Sequence, residues 1–155
     1  MFIVSAKTPP KKAIAYVVLC GLVLIVLILV VGRVKQQPSP GEETVVAATD
    51  AERTAYLTAL GWAVSAAPIE TLEFTLPQPL NASYEAYNEL QQEQGFDLAP
   101  YAGMQVKRYS YQVTNYPDCP ENVQANLYLC GDLVIGGDIL CYGEEGFVDT
   151  LIFPG

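Results

Sequence analysis

Between Ala13 and Val31 the chain reads AIAYVVLCGLVLIVLILVV, 19 residues without a charge, and no other stretch restricts its architecture as much. At ~1.5 Å of rise per residue, a helix of that length crosses roughly the 30 Å hydrocarbon core of a bilayer. The run exceeds the roughly 7 to 15 residues of a signal-peptide core, and no small-x-small cleavage site follows it closely. It has no polar face, so a small domain could not wrap it as a core helix. We therefore read residues 1–12 as a short basic cytoplasmic tail, 13–32 as a transmembrane helix, 33–48 as a linker and 49–155 as an extracytoplasmic domain. Lys7, Lys11 and Lys12 precede the span and only Arg33 and Lys35 closely follow it, which favours an N-terminus inside.

Charge is partitioned as sharply as hydropathy. All 17 acidic residues follow position 36, against the cations Arg53, Lys107 and Arg108, a formal −14 for that part of the chain. Such a domain does not bind nucleic acid. It is repelled from an anionic leaflet and suits a position away from the lipid surface.

Prolines and polar residues without apolar periodicity (KQQPSPGEETVV, from Lys35) give the linker reading. Thr49 with Glu52 forms a capping box for a helix over Asp50 to Leu60, with Ala55, Leu57 and Leu60 toward a core. Trp62 to Ala66 and Ile69 to Leu76 alternate as two short strands or one bent strand, bounded by Pro68 and Pro77. Asn81 caps a second helix carrying Tyr84, Tyr87 and Leu90 at helical spacing. The strand around VKRYSYQVT sets Tyr109, Tyr111 and Val113 against Arg108, Ser110 and Gln112; the next sets Val123, Ala125, Leu127 and Leu129 inward. The expected fold class is α+β: after the membrane helix, two helices packed on one face of a twisted antiparallel sheet.

The chain has no histidine, which removes the commonest general base and the Ser-His and Cys-His nucleophile pairs. Carboxylates and thiols remain. Asp132, Asp138, Glu144, Glu145 and Asp149 lack the spacing of an EF-hand loop, so they read as a solvated acidic surface, with no metal and no cofactor expected. Cys119, Cys130 and Cys141 lie eleven residues apart, which fits neither a zinc ribbon nor a thioredoxin-like pair.

The stretch LCGDLVIGGDILC, Leu129 to Cys141, reads as a hairpin whose tight turn is centred on Gly131 and Asp132. Leu129 then faces Val134, Leu127 faces Gly136 and Asn122 faces Cys141. Cys130 is eleven residues along an extended chain from Cys141, roughly 35 Å, and out of reach. The expectation is a Cys119–Cys141 disulfide with Cys130 free or paired between molecules; three free thiols is the alternative left open. Gly136 and Gly137 have no P-loop or GxGxxG context and mark a bulge or a close approach by another backbone or an aromatic ring, with Leu127 and the tyrosines of the preceding strand as the expected occupants.

Several blocks together, YLTALGWAV at Tyr56, YEAYNELQQEQGFDL at Tyr84, RYSYQVTNYP at Arg108, VIGGD at Val134 and GF at Gly146, resemble the bacterial family called domain of unknown function 4830. The resemblance covers about residues 55 to 148. It implies a membrane-anchored protein of a Gram-positive, clostridia-like bacterium and imports no activity. Relatives tend to end with a Met-His-Gly run where this chain has Val148, Asp149 and Thr150, so no function passes through that histidine.

The leading expectation is a non-enzymatic interaction or sensing module with a protein or cell-envelope partner. Its contact surface is placed on a tyrosine-rich sheet with Arg108, Tyr109, Tyr111, Tyr116 and Asp138 as interface candidates, and Tyr101 and Tyr128 beside them. Packing of inward tyrosines under the second helix is the competing reading. Two other classes stay open: a small hydrolase or lyase using carboxylates such as Asp138 and Glu144, and a redox sensor using Cys130.

Overall fold

The computed structural model describes residues 39–117, 119 and 121–155. The tail 1–12 and the span 13–32, with Cys20, lie outside them; among the described residues no helix is long and apolar enough to cross a membrane. The elements run α1 (Asp50–Ala59), β1 (Glu70–Thr75), α2 (Ala82–Glu93), a 3-10 turn (Ala99–Tyr101), β2 (Gln105–Gln112), β3 (Val123–Cys130), β4 (Leu133–Cys141) and β5 (Phe147–Asp149). One sheet contains all five strands in the order β1-β2-β3-β4-β5, every neighbour antiparallel. The class is α+β.

Local chemistry sets the helix starts. Thr49 accepts from the Glu52 amide and Glu52 returns a bond to the Thr49 amide, the reciprocal box that begins α1. Asn81 accepts from the Tyr84 amide to begin α2. Trp62 to Ala66, expected as a strand, contributes only a bridge from Val64 to Val113; Trp62 instead turns inward and donates to the Leu151 carbonyl at 2.7 Å.

Strand alternation decides which helix covers which face. Tyr109 pairs with Leu127 and Tyr111 with Ala125, and these residues lie under α1: the Arg53 guanidinium stacks 3.8 Å over the Tyr109 ring and donates to the Tyr111 hydroxyl. Arg108 pairs with Tyr128 and Asn126 with Asp138 on the opposite face, where Tyr87 of α2 donates to Asp138. The helices therefore flank both faces, which corrects the expectation of one. Leu57 of α1 and Leu60 just past its end are buried as expected, but Ala55 is exposed and Arg53 takes the inward place.

Of the expected linker 33–48, residues 33–38 lie outside the described residues, and 39–48 are not a tether. Ala47 is fully buried, Val45 accepts from the Val134 amide, and Gly41 donates to the Gln94 carbonyl. Ser39 to Ala48 are thus docked, because bonding to a free strand edge and to a helix end satisfies a backbone that composition alone reads as a tether.

The β3–β4 turn places Gly131 at φ +60° with Asp132 next, the conformation a type II′ turn asks of its first central residue. Leu129 faces Val134 as expected, but a bulge then inserts Ile135, so that Leu127 faces Gly137 and Val123, not Asn122, faces Cys141. One extra residue shifts all later pairings by one.

β4 would be an open edge beyond the short β5. Three devices close it: Val45–Ala47 bond to Asp132 and Val134, β5 pairs with Ile139–Cys141, and between them two α2-end glutamines act as a substitute strand. Gln91 accepts from the Gly137 amide at 2.9 Å and donates to its carbonyl at 3.0 Å. Gln94 donates to that carbonyl at 2.7 Å and accepts from the Leu151 amide at 2.8 Å. Both glutamines are fully buried, and their amides are matched in donors and acceptors.

Candidate functional site

The face beneath α2 carries a layer of buried polar side chains beside an apolar cluster of Leu76, Leu98, Val106 and Ile135. Ser110 donates to Asn126 at 2.6 Å, Gln124 donates to the same oxygen at 3.0 Å, and Asn126 donates to Asp138 at 2.7 Å. The other Asp138 oxygen accepts from the Tyr87 hydroxyl at 2.5 Å. Asp138 is 3 % exposed. Burial raises its pKa above the ordinary carboxyl value, and the hydrogen bonds from Tyr87, Asn126 and Tyr128 oppose the rise. Burial also lifts Tyr128, to about 12, and raises Tyr87 well above the ordinary phenol value, each with the Asp138 charge adding to it.

Arg108 stands at the rim. Its guanidinium pairs with Glu70 of β1, and its Nε is buried without a hydrogen-bond partner among the described residues. Burial works to lower its pKa, but Tyr128 and Glu70 raise it on balance. Above the layer, at the first turns of α2, Ser83, Tyr84, Tyr87 and Tyr128 line a recess of about 200 Å³. Tyr87 and Tyr128 pack at 5.6 Å between ring centroids, and Phe74 buttresses Tyr84 and Tyr128 from β1. The recess is a set of aromatic walls held from behind by a buried, fully bonded carboxylate.

A second concavity of about 260 Å³ lies between the docked N-terminal segment and the turn after α2, with Glu42, Glu43, Asp97, Phe96 and Tyr101 among its lining. Asp97 accepts from Asn88 and from the Ala99 amide, which hold its pKa below the ordinary carboxyl value. Among the described residues no group of three His, Cys, Asp or Glu could hold a metal ion.

The family model described as Domain of unknown function (DUF4830) matches residues 56–139, more than half of the 155-residue chain. The chain belongs to this family. No curated protein and no solved structure matches it. The DUF4830 match runs from within α1 into β4, and so contains every residue of the polar layer and of the tyrosine recess.

Within the DUF4830 fold the interface candidates separate. Tyr109 and Tyr111 are packed under α1, where Tyr111 is fully buried, and not under the second helix. Tyr116 stacks on Trp62 with centroids 5.8 Å apart. Arg108 and Asp138 alone share the α2 face. Of the two carboxylates offered for hydrolysis, Asp138 has both oxygens engaged and Glu144 is in the exposed β4–β5 turn; neither lines the two concavities.

The glycine pair is occupied from both sides. A side chain at Gly136 would meet Gln91 Oε1 at 2.8 Å, and one at Gly137 would meet Leu151 Cδ1 at 2.4 Å and the Asn126 carbonyl oxygen at 2.7 Å. Cys119 and Cys141 are thiols whose sulfurs lie 3.0 Å apart. Their shared hydrogen bond raises the Cys141 pKa, with burial adding to it. Cys130 is a thiol packed with Leu133 and Ile135 on the other face.

Sequence reasoning missed Arg53, Gln91 and Gln94. Arg53 is one of three cations after position 36, and its scarcity in an acidic domain was the available signal. The glutamines follow Tyr84, Tyr87 and Asn88 on one helical stripe, a polar face set opposite the polar face of β3.

Proposed function

We propose that this DUF4830 protein is a single-pass membrane protein whose domain lies outside the cytoplasm and recognises a protein or cell-envelope partner rather than turning over a substrate. The observation that carries this reading is the recess of Ser83, Tyr84, Tyr87 and Tyr128. Rigid aromatic side chains supply contact area at low entropic cost, which is why tyrosines anchor recognition surfaces. A recess of about 200 Å³ is smaller than the roughly 300 Å³ and upward of small-molecule sites and suits one inserted side chain or ring. The acidic balance of the domain keeps it from adhering to anionic lipid. With Ser39 onward docked, the sequence leaves only Arg33 to Pro38 between the apolar span and the folded domain.

The test is position-specific photo-crosslinking in intact cells. A crosslinker replacing Ser83 should yield a discrete adduct that is lost in Tyr84→Ala, while one at the exposed Thr58 of α1 should not. The same adduct from both positions, or none from Ser83, would refute the recess as the contact. A reporter fused after Gly155 that is active only when the reporter is a cytoplasmic one would overturn the location.

A further inference from the structure

We propose that Cys119 and Cys141 are a disulfide-forming pair that staples the β2–β3 connection to the end of β4, and that Cys130 stays a thiol. The sulfurs are 3.0 Å apart, about 1 Å beyond the ~2.05 Å of a disulfide bond. A small rotation about either side chain closes that gap.

The fold brings them together by two local devices. The Ile135 bulge shifts the β3–β4 register by one, so Cys141 lies opposite Val123 and on the same sheet face as Val123, Ala125 and Leu127. Asn122, at φ +62°, turns the chain into β3, and its carbonyl accepts from the Tyr142 amide at 3.0 Å. Cys119, three residues earlier, packs against that same cluster. Without the bulge, Cys141 would point to the α2 face and away from Cys119.

Cys130 is excluded by the same register. It lies at the far end of β3 from Val123, roughly 23 Å along the strand at ~3.3 Å per residue, and it packs with the cluster on the opposite face.

The chemistry is thiol–disulfide exchange with a donor that carries a disulfide, an oxidoreductase or oxidised glutathione. Cys119 is half-exposed and Cys141 buried, so Cys119 meets the donor. Its thiolate attacks one donor sulfur, the donor S–S bond breaks, and a donor thiolate leaves. Cys141 then gives up its proton and its sulfur attacks Cys119 Sγ, displacing the second donor sulfur as a thiolate. The protein pair loses two electrons and two protons, and the donor disulfide gains them as two thiols. Closing the loop from 119 to 141 restricts the unfolded chain and pins the segment that holds Tyr116 on Trp62.

The experiment uses the full-length chain in membranes, alkylated in acid before digestion without reductant. The expected product is a Cys119–Cys141 linked peptide with Cys130 alkylated. If the link is missing as isolated but forms with oxidised glutathione, the pair stands and the extracytoplasmic reading fails. Three alkylated cysteines after that treatment, or Cys130 linked to either partner, overturns the proposal. In detergent, reductant should lower Tm by about 10 °C. Cys119→Ala and Cys141→Ala should each abolish that shift, while Cys130→Ala retains it; a reductant shift that survives in Cys119→Ala also overturns the pairing.

Discussion

Replacing Gln91 with Met keeps side-chain length and helix propensity while deleting the contacts that close the β4 edge. Three bonds go: the Gly137 amide to Oε1, Nε2 to the Gly137 carbonyl, and Gln94 Nε2 to Oε1. The Gly137 carbonyl keeps Gln94 at 2.7 Å, and Gln94 keeps its bond from Leu151. What is orphaned is the Gly137 N–H, buried between β4 and α2. An unsatisfied buried donor costs about 1–3 kcal/mol and a lost neutral hydrogen bond about 1 kcal/mol. The extra apolar burial of Met returns less than about 1 kcal/mol, leaving about 2–3 kcal/mol. With a urea slope of about 1.5 kcal/mol/M, the midpoint should fall by about 1.5–2 M. Trp62, the single tryptophan and 1 % exposed, supplies the fluorescence signal from the opposite face. Glu89→Met, on the exposed side of the same helix, should stay within about 0.5 kcal/mol of wild type. A Gln91→Met midpoint within about 0.3 M of wild type at unchanged slope would mean that the glutamines merely fill space and that the edge is closed by water or by nothing.

Three further perturbations test the polar interior. Asp138 is held above its ordinary pKa of 3.8 by burial, so between that value and the folded pKa the native chain binds a proton the unfolded chain has lost; its contribution grows as pH falls through that window and is lost as pH rises. Asp138→Asn should therefore be at least as stable as wild type at pH 7 and should lose that advantage on acidification, read as urea midpoints against pH; Glu52 and Asp97, both lowered, act with the opposite sign and are common to both proteins. Arg53→Met strips donors from the Ala47 and Ala48 carbonyls and from Tyr111 and should cost about 3 kcal/mol, with faster proteolytic cleavage within Ser39–Ala48; Arg53→Lys should recover less than half, since an ammonium cannot reproduce the fork. Gly137→Ala should cost more than Gly136→Ala in thermal melts, because its Cβ meets the Asn126 backbone oxygen as well as Leu151 while the other meets chiefly a movable Gln91 amide.

Features decided within a few residues were legible in the sequence. The Thr49–Glu52 box, the Asn81 cap and the Gly131 turn each follow from the chemistry of neighbours, and each stands where its signal lies. The glycine pair announced a bulge, but not that Ile135 would be the inserted residue, because that depends on what α2 and Leu151 press against either side of β4. The docking of Ser39–Ala48 was hidden for a similar reason. A segment rich in proline and glycine carries no periodicity, and only the free β4 edge and the helix end opposite give it partners.

The assignment of both helices to one face had a more general cause. Alternation in β3 offered Val123, Ala125, Leu127 and Leu129 to a core and Gln124, Asn126 and Tyr128 to water, as expected of a sheet with one wet side. The second face is buried all the same: Ser110 and Asn126 are 0 % and 2 % exposed. Polar residues can cover polar residues when donors and acceptors match, and α2 supplies the match through Tyr87 to Asp138 and through Gln91 and Gln94 to Gly137. The same alternation explains why the tyrosines did not form one surface. Neighbours in sequence face opposite ways, so Arg108 joins Tyr128 and Tyr87, while Tyr109 and Tyr111 join Arg53. The Asp138 carboxylate accepts from the Tyr87 hydroxyl and from the Asn126 amide and lines neither concavity, so its effect is to fix the Tyr87 hydroxyl and with it the wall of the recess.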